Sequence, residues 1–265
     1  MARVGLDPYG QPIIQQNVGF VVMAQPGALV TRPPPPPVVW MPKPSGGSGC
    51  PPGLEYLTTL DKILLKEEVN YLEMATNFVF ENRYRILNDS GQQVYTAQEE
   101  STVCQLGWCS GNRAFTMHIF DNNKMEVIRL ERELRCCIGT CWCSCLESCS
   151  HLIKVEAPPG KKVGYVQQKC SPLPPMFSIL DEDKQEVMYI DGPCCVGPCT
   201  VVEFKVKSSK DDSKVGKISK KWDDVVQELL TNADNFGIKF PVDLDVKMKA
   251  VMLGAAFLID FMYFE

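Results

Sequence analysis

Ala250-Val-Met-Leu-Gly-Ala-Ala-Phe-Leu-Ile-Asp-Phe-Met-Tyr-Phe264 is the most continuously apolar stretch of this 265-residue chain. Fourteen of its fifteen residues, from Ala250 through Phe257 to Phe264, are apolar, small or aromatic, and Asp260 is the exception. Lys247 and Lys249 stand just before it and Glu265 just after it. Either the stretch enters a bilayer or it is the centre of a protein core. As a helix it would rise roughly 22 Å, whereas a bilayer core is about 30 Å thick and asks for around 20 apolar residues. Asp260 would cost up to about 3 kcal/mol at the membrane centre. A helix apolar on all sides is also what the middle of a soluble fold contains.

The upstream chain decides between these. From Pro51 onward, short apolar-polar alternations are broken by turn residues. Phe78 to Ile86 turns at Asn88-Asp89-Ser90-Gly91 and returns through Val94 and Tyr95. Phe115 to Ile119 turns at Asp121 to Lys124 and returns through Val127, Ile128 and Leu130. Ile153 and Val155 turn at Pro158-Pro159-Gly160 and return through Val163 and Val166. Phe177 to Leu180 turns at Asp181 to Lys184 and returns through Val187 and Met188. Val201 to Val206 turns between Ser208 and Ser213 and returns through Val215 and Ile218. Five successive hairpins predict ten strands or more. A phrase recurs among them: Asn or Asp opening a turn, with valine six residues later (Asn88/Val94, Asp121/Val127, Asp181/Val187). A Cys-Cys pair and then a Val-Gly step (Val163-Gly164, Val215-Gly216) follow the second and third copies, so the region from about 115 to 170 reads as duplicated by about 175 to 222.

Ten antiparallel strands in an open sheet leave two vulnerable edges, and closure removes them. A barrel of that size is too wide for its own side chains to fill. The all-apolar C-terminal segment is the candidate filler. The expected fold is therefore mainly β: a closed antiparallel barrel of about 10–12 strands around a hydrophobic C-terminal helix. One amphipathic helix should precede that segment, with Trp222, Val225, Val226, Leu229 and Leu230 on one face and Asp223 and Asp224 in its first turn.

Residues 1–49 form a different block. Twelve of the twenty prolines fall in the first 52 residues, including Pro33 to Pro37. Such a segment cannot bury a core and is expected to be a disordered, proline-rich tail. The run Pro33–Pro37 offers PxxP spacing that an SH3 groove could read, and it serves equally as a spacer. Ser45-Gly-Gly-Ser-Gly49 reads as a hinge, which puts the domain at residues 50–265. The net charge of −5 does not suggest a dedicated nucleic-acid binder. MARVGLDPYG has no apolar signal region, so the chain is expected on the cytosolic side. There, a disulfide framework is not expected. The thirteen cysteines should then be buried, metal ligands or acylation sites.

Three segments could carry function. Asn232 to Asp243 can be laid on a twelve-residue calcium loop with Gly237 at its sixth position. Asn232, Asp234, Phe236, Ile238, Phe240 and Asp243 would then be the ligand positions of a weak calcium site, on the order of 10⁻⁴ M or worse. The alternative is a turn, with Gly237 making the bend and Asp243 capping the last helix. The second is the run Cys136, Cys137, Cys141, Cys143, Cys145 and Cys149, beside apolar Ile138, Trp142 and Leu146. Its density suits multiple palmitoylation better than zinc, which wants separated pairs. Cys194-Cys195 and Cys199 could supply zinc ligands together with Cys136 or Cys137. The third is Gly216-Lys217-Ile218-Ser219-Lys220-Lys221-Trp222, a basic segment suited to a nuclear import receptor, nucleic acid or anionic lipid, or simply the face of an edge strand. No nucleophile-base arrangement, P-loop or H-E-x-x-H motif is present.

Pro51-Pro-Gly-Leu-Glu-Tyr-Leu57, the Cys136–Cys149 run, Gly216 to Trp222, Asn232 to Asp243 and Val246 to Glu265 together resemble the phospholipid scramblases. The resemblance covers residues 51 to 265. It implies a Tubby-like barrel around the C-terminal helix and calcium-dependent, ATP-independent, bidirectional movement of phospholipid between leaflets. It further implies palmitoylation of the cysteine run and nuclear import through Gly216 to Trp222. The expected location is the cytoplasmic face of the plasma membrane when acylated and the nucleus when not, with calcium-promoted oligomers. The alternative is a signalling adaptor or DNA-binding regulator with little scrambling activity.

Overall fold

Each of the five hairpins read from the sequence is formed, and the chain adds one strand before the first and one after the last. The computed structural model describes residues 38–44, 49–68, 81–101, 113–135, 145–146, 149–171, 174–194, 202–220 and 235–264. The strands are β1 (Lys62–Glu67), β2 (Arg83–Leu87), β3 (Gln93–Glu100), β4 (Phe115–Phe120), β5 (Glu126–Arg132) and β6 (Leu152–Glu156). They continue with β7 (Lys162–Gln168), β8 (Met176–Leu180), β9 (Glu186–Asp191), β10 (Val202–Ser208), β11 (Lys214–Lys220) and β12 (Asn235–Lys239), and α1 (Val246–Tyr263) is the last element. Every strand pairs antiparallel with its sequence neighbours, and β1 pairs with β12, which closes the barrel. The Pro33–Pro37 run and the expected helix from Trp222 to Leu230 lie outside the described residues.

The recurring turn phrase has one chemical cause. Asn88 Oδ1 accepts the N–H groups of Ser90 (3.1 Å) and Gln92 (2.8 Å). Asp121 Oδ1 does the same for Asn123 (2.9 Å) and Met125 (3.0 Å), and Asp181 Oδ1 for Asp183 (3.0 Å) and Gln185 (2.8 Å). The fourth residue of each turn takes a positive φ: 74° at Gly91 and 60° at Lys124 and Lys184. The register then shifts at Ile86/Leu87, Ile119/Phe120 and Ile179/Leu180. This is a tight turn followed by a bulge, a common way of joining twisted antiparallel strands. The repeated Val-Gly step also has a steric reason. A Cβ on Gly164 would collide with the Leu180 carbonyl oxygen and with Val251 of α1, and one on Gly216 with the Lys239 carbonyl oxygen.

Inside the barrel, α1 is buried from Met248 to Phe261. Its small residues let the walls approach: a Cβ on Gly254 would lie 3.0 Å from Val155 Cγ2. Its large ones reach outward, with Phe257 edge-to-face against Tyr84 (5.0 Å between centroids) and Phe261 against Phe115 (4.2 Å). Asp245 caps the helix, accepting from the N–H of Lys247 (2.8 Å) and Met248 (3.3 Å). The expected cap, Asp243, is instead an exposed turn residue.

Each end of the apolar stretch carries a satisfied charge. Lys249 is 0% exposed, and its ammonium donates to the carbonyls of Leu57 (2.8 Å), Leu60 (2.9 Å) and Val242 (2.7 Å). Burial pushes its pKa down. At the other end Asp260 accepts from the Tyr84 hydroxyl (3.0 Å). The rise between Lys249 and Asp260 is roughly 16 Å, about half a bilayer core. No helix among the described residues is long and apolar enough to cross a membrane.

The compact unit spans Val38–Glu265 and so begins ahead of the Ser45–Gly49 hinge. Gln93 donates to the Val39 carbonyl (2.8 Å) and accepts from the Met41 N–H (2.9 Å), which ties residues 39–41 to β3.

Replacing Lys249 with methionine leaves three inward carbonyls without that donor. Unfolding in urea should show a loss of about 3 kcal/mol or more. Lys247→Met, which removes only a long ion pair to Glu182 (3.7 Å), should change stability by less than about 0.5 kcal/mol.

Candidate functional site

An up-and-down barrel sorts its connections by parity. Those after even-numbered strands, together with the β12–α1 turn, lie at one rim; those after odd-numbered strands lie at the other. The strand ends that flank the cysteine-bearing sequence are at the second rim: Cys136–Cys149 stands between β5 and β6 in the chain, Cys170 follows β7, and Cys194, Cys195 and Cys199 follow β9. The C-terminal end of α1 points to the same rim, where Tyr263 meets Phe177 and Phe204, and Phe264 meets Phe236.

Cys136, Cys137, Cys141 and Cys143 lie outside the described residues, as do Cys195 and Cys199. Cys145 and Cys149, read as acylation sites, are not free thiols. Cys145 is bonded to Cys170, with 4.5 Å between their Cα atoms, and Cys149 is likewise disulfide-bonded. The expectation of no disulfide fails because β6 and β7 pair along their length, so the segment entering β6 meets the segment leaving β7. A separation of 25 residues concealed this. One sulfur cannot hold a disulfide and a thioester together, so Cys145 and Cys149 are open to acylation only in reduced protein. Leu134 and Leu146 leave this rim 46% and 64% exposed. Cys194 is an exposed free thiol there, while Cys50, at the tight-turn rim, is a free thiol pushed upward in pKa by burial and then by Glu55 and Asp245.

Beneath the cysteine rim lies a polar floor that sequence reading missed. Arg132 Nη2 donates to His151 Nδ1 (3.1 Å), which leaves the imidazole proton on Nε2. Burial, with Arg132 and Arg135 nearby, pushes His151 down to about 4. Ser150 Oγ donates to the Gln168 carbonyl (2.7 Å). On the adjoining β3–β4 wall, Arg113 and Glu99 form a buried fork (2.7 and 3.0 Å), with the guanidinium 4.5 Å above the Phe261 ring. The available signal was parity: Glu99 shares the inward face of β3 with Tyr95 and Ala97.

The segment read as a calcium loop is different. Asn232 and Asp234 lie outside the described residues. Phe236 and Ile238 are in β12, paired on one side with β1 and on the other with β11. Their side chains and that of Phe240 are core. Gly237 is therefore a strand residue facing Leu64 and Ser219, not a bend. The alternation Asn-Phe-Gly-Ile-Lys is a half-buried strand pattern whose glycine imitated a loop. Phe236, Ile238 and Phe240 offer calcium no side-chain oxygen, and the backbone of β12 is engaged in sheet pairing. Among the described residues no group of three His, Cys, Asp or Glu side chains could hold a metal ion.

Gly216 to Lys220 of the basic segment lie in β11, which is an interior strand rather than an edge, and Lys221 and Trp222 lie outside the described residues. Its backbone is paired on both sides, with Gly216, Ile218 and Ser219 buried, so it is not displayed as an extended peptide.

Comparison with known proteins places the chain in a family. The scramblase family model matches residues 41–265. The chain is 49% identical to phospholipid scramblase 2 of Bos taurus over 251 residues, 94% of this chain and 83% of that protein. It is 49% identical to phospholipid scramblase 1 of Homo sapiens over 229 residues, 86% and 70% respectively. Against phospholipid scramblase 1 of Rattus norvegicus it is 46% identical over 262 residues, 98% and 74%. The solved structure of an Arabidopsis thaliana protein is loosely similar, with 9% identity and a TM-score of 0.41 over 75% of this chain and 92% of that one. The chain belongs to the scramblase family.

The rim's histidine makes a pH prediction. The folded pKa lies below the unfolded value of about 6.5, so the stability from neutral His151 is complete above that value and is lost as pH falls through about 4. Denaturant titrations should show up to about 3 kcal/mol lost over this window, beyond what His151→Gln loses.

Proposed function

We propose that this chain promotes bidirectional, ATP-independent movement of phospholipids between leaflets, in response to calcium, while held on the cytoplasmic face of a membrane by acyl chains. The observation that carries the reading is the family match across residues 41–265, whose relatives bear the name phospholipid scramblase. The rim supports it: cysteine-bearing connections, exposed Leu134 and Leu146 and the end of α1 share one end of the barrel. Several acyl chains there would hold the protein stably, since one chain gives only marginal binding. Cys136, Cys137, Cys141 and Cys143 are the primary acylation sites in this proposal, and acylation of Cys145 and Cys149 awaits reduction. With β12 in the sheet, calcium sensitivity would rest on Asn232, Asp234 and Asp243 and should be weak. Import of unacylated protein belongs to the same proposal, with a receptor reading the folded face of β11, as does SH3 docking at Pro33–Pro37.

With α1 buried from Met248 to Phe261, the described residues leave a headgroup no continuous polar track through the barrel. Headgroups would therefore cross beside the protein, through a bilayer perturbed at the acylated rim, with α1 in place. ATP is not needed because lipid moves down its own gradient.

Reconstitution in liposomes carrying a fluorescent lipid, quenched by dithionite, tests this. A calcium-dependent gain over empty vesicles is expected; a rate equal to empty vesicles would sink the activity, and a gain indifferent to chelator would sink the calcium dependence. Linking α1 to the wall through Gly254→Cys and Val155→Cys should leave the rate unchanged. Its loss in protein of unaltered melting temperature would show that the helix must leave.

A further inference from the structure

Four lysines stand side by side on the outer wall of the barrel. Register pairs Lys205 with Lys217, Lys217 with Lys239 and Lys239 with Lys62, so the row crosses β10, β11, β12 and β1. Lys207 faces Lys214 at the next step. Residues directly opposite on neighbouring strands have Cβ atoms about 5 Å apart, and like charges there are destabilising. The chain as a whole has a net charge of −5, so the row is a local concentration rather than an average.

The two usual reasons for such lysines do not apply. Lysine guards exposed sheet edges, and this barrel has no edge at β11, β12 or β1. Ion pairing accounts for only part of the row. Glu203 takes Lys217 (2.8 Å) and Lys214 (3.5 Å), and Asp191 takes Lys207 (3.0 Å). Lys205, Lys239 and Lys62 have no acidic partner within ion-pair distance among the described residues, and Lys205 and Lys239 are exposed.

Beside the row lies a groove of about 530 Å³ lined by Lys214, Lys217, Lys239, Pro241 and Val242, with Asp61 its one acid among the described residues. Val242 is 54% exposed. A cationic patch beside an apolar lip matches an anionic membrane surface, where phosphate and carboxylate headgroups overlie hydrocarbon. A nucleic-acid duplex has no use for the apolar lip.

We propose that the β10–β11–β12–β1 wall is a binding face for anionic phospholipid, with the lysine row against the headgroups and Pro241–Val242 at the acyl boundary. This contact is separate from the acylated rim and is read without any lipid movement, so it stands or falls apart from the scrambling activity.

The test uses full-length protein without acyl chains, sedimented with vesicles of phosphatidylcholine alone or mixed with phosphatidylserine. Binding should require phosphatidylserine and weaken with salt. Lys205→Glu with Lys239→Glu should lower vesicle affinity roughly 25-fold or more, about fivefold for each lysine. The control is Lys161→Glu with Lys162→Glu, of equal charge, at the β6–β7 turn across the barrel, which should bind within about twofold of the parent, these lysines being off the face. Melting temperature separates binding from folding. Glutamate at 239 falls between Lys62 and Lys217, so the melting temperature should hold or rise. Equal losses in the two double variants, or tighter binding to duplex DNA than to phosphatidylserine vesicles at equal phosphate, would overturn the proposal.

Discussion

Twelve antiparallel strands closed on one another enclose more space than their inward side chains can fill. Left open, that space would wet Ile128, Ile153, Ile179 and Ile238, all of which are fully buried. α1 fills it, and its composition follows from the task. Gly254 lets the wall at Val155 come close, and Phe257 and Phe261 reach the aromatics Tyr84 and Phe115. A charged residue at each end is tolerable only because it is satisfied there: Lys249 by three carbonyls and Asp260 by Tyr84. Lys249 also stitches the 54–60 segment and the β12–α1 turn to the helix, so the filler is locked where it enters.

That arrangement bears on how the protein meets lipid. A helix sealed by buried hydrogen bonds at both ends contributes nothing to a bilayer while the barrel stays closed, so membrane contact falls to the outside. Two surfaces are suited to it, and they differ in chemistry. The cysteine rim offers thiols and exposed leucines; the β10–β1 wall offers ammonium groups beside an apolar lip. If the rim is acylated as proposed, its disulfides would couple that surface to redox state, because a sulfur in a disulfide is closed to acylation.

Much of the barrel was legible in the chain because hairpins are local. Asn88, Asp121 and Asp181 each announce a turn, and valine alternation runs away on both sides. β1 and β12 were harder, since each pairs with the other across almost the whole domain and neither has a hairpin partner within its own stretch. β12 imitates a loop in sequence because Gly237 sits at the loop-like position of Asn232 to Asp243. The site was less legible. The lysine row exists only once register is known: Lys62, Lys205, Lys217 and Lys239 are scattered in sequence and adjacent in space. Lys249 looked like a flank of the apolar stretch and is instead part of its buried anchoring. The Cys145–Cys170 bond likewise depends on β6 meeting β7.

The central claim is that α1 remains inside the barrel when the protein is on a membrane. A photocrosslinking amino acid at Phe257, in protein bound to vesicles with and without calcium, tests it most directly. The account predicts adducts within the chain, on wall residues such as Tyr84, in both conditions. Lipid adducts from position 257 would contradict it.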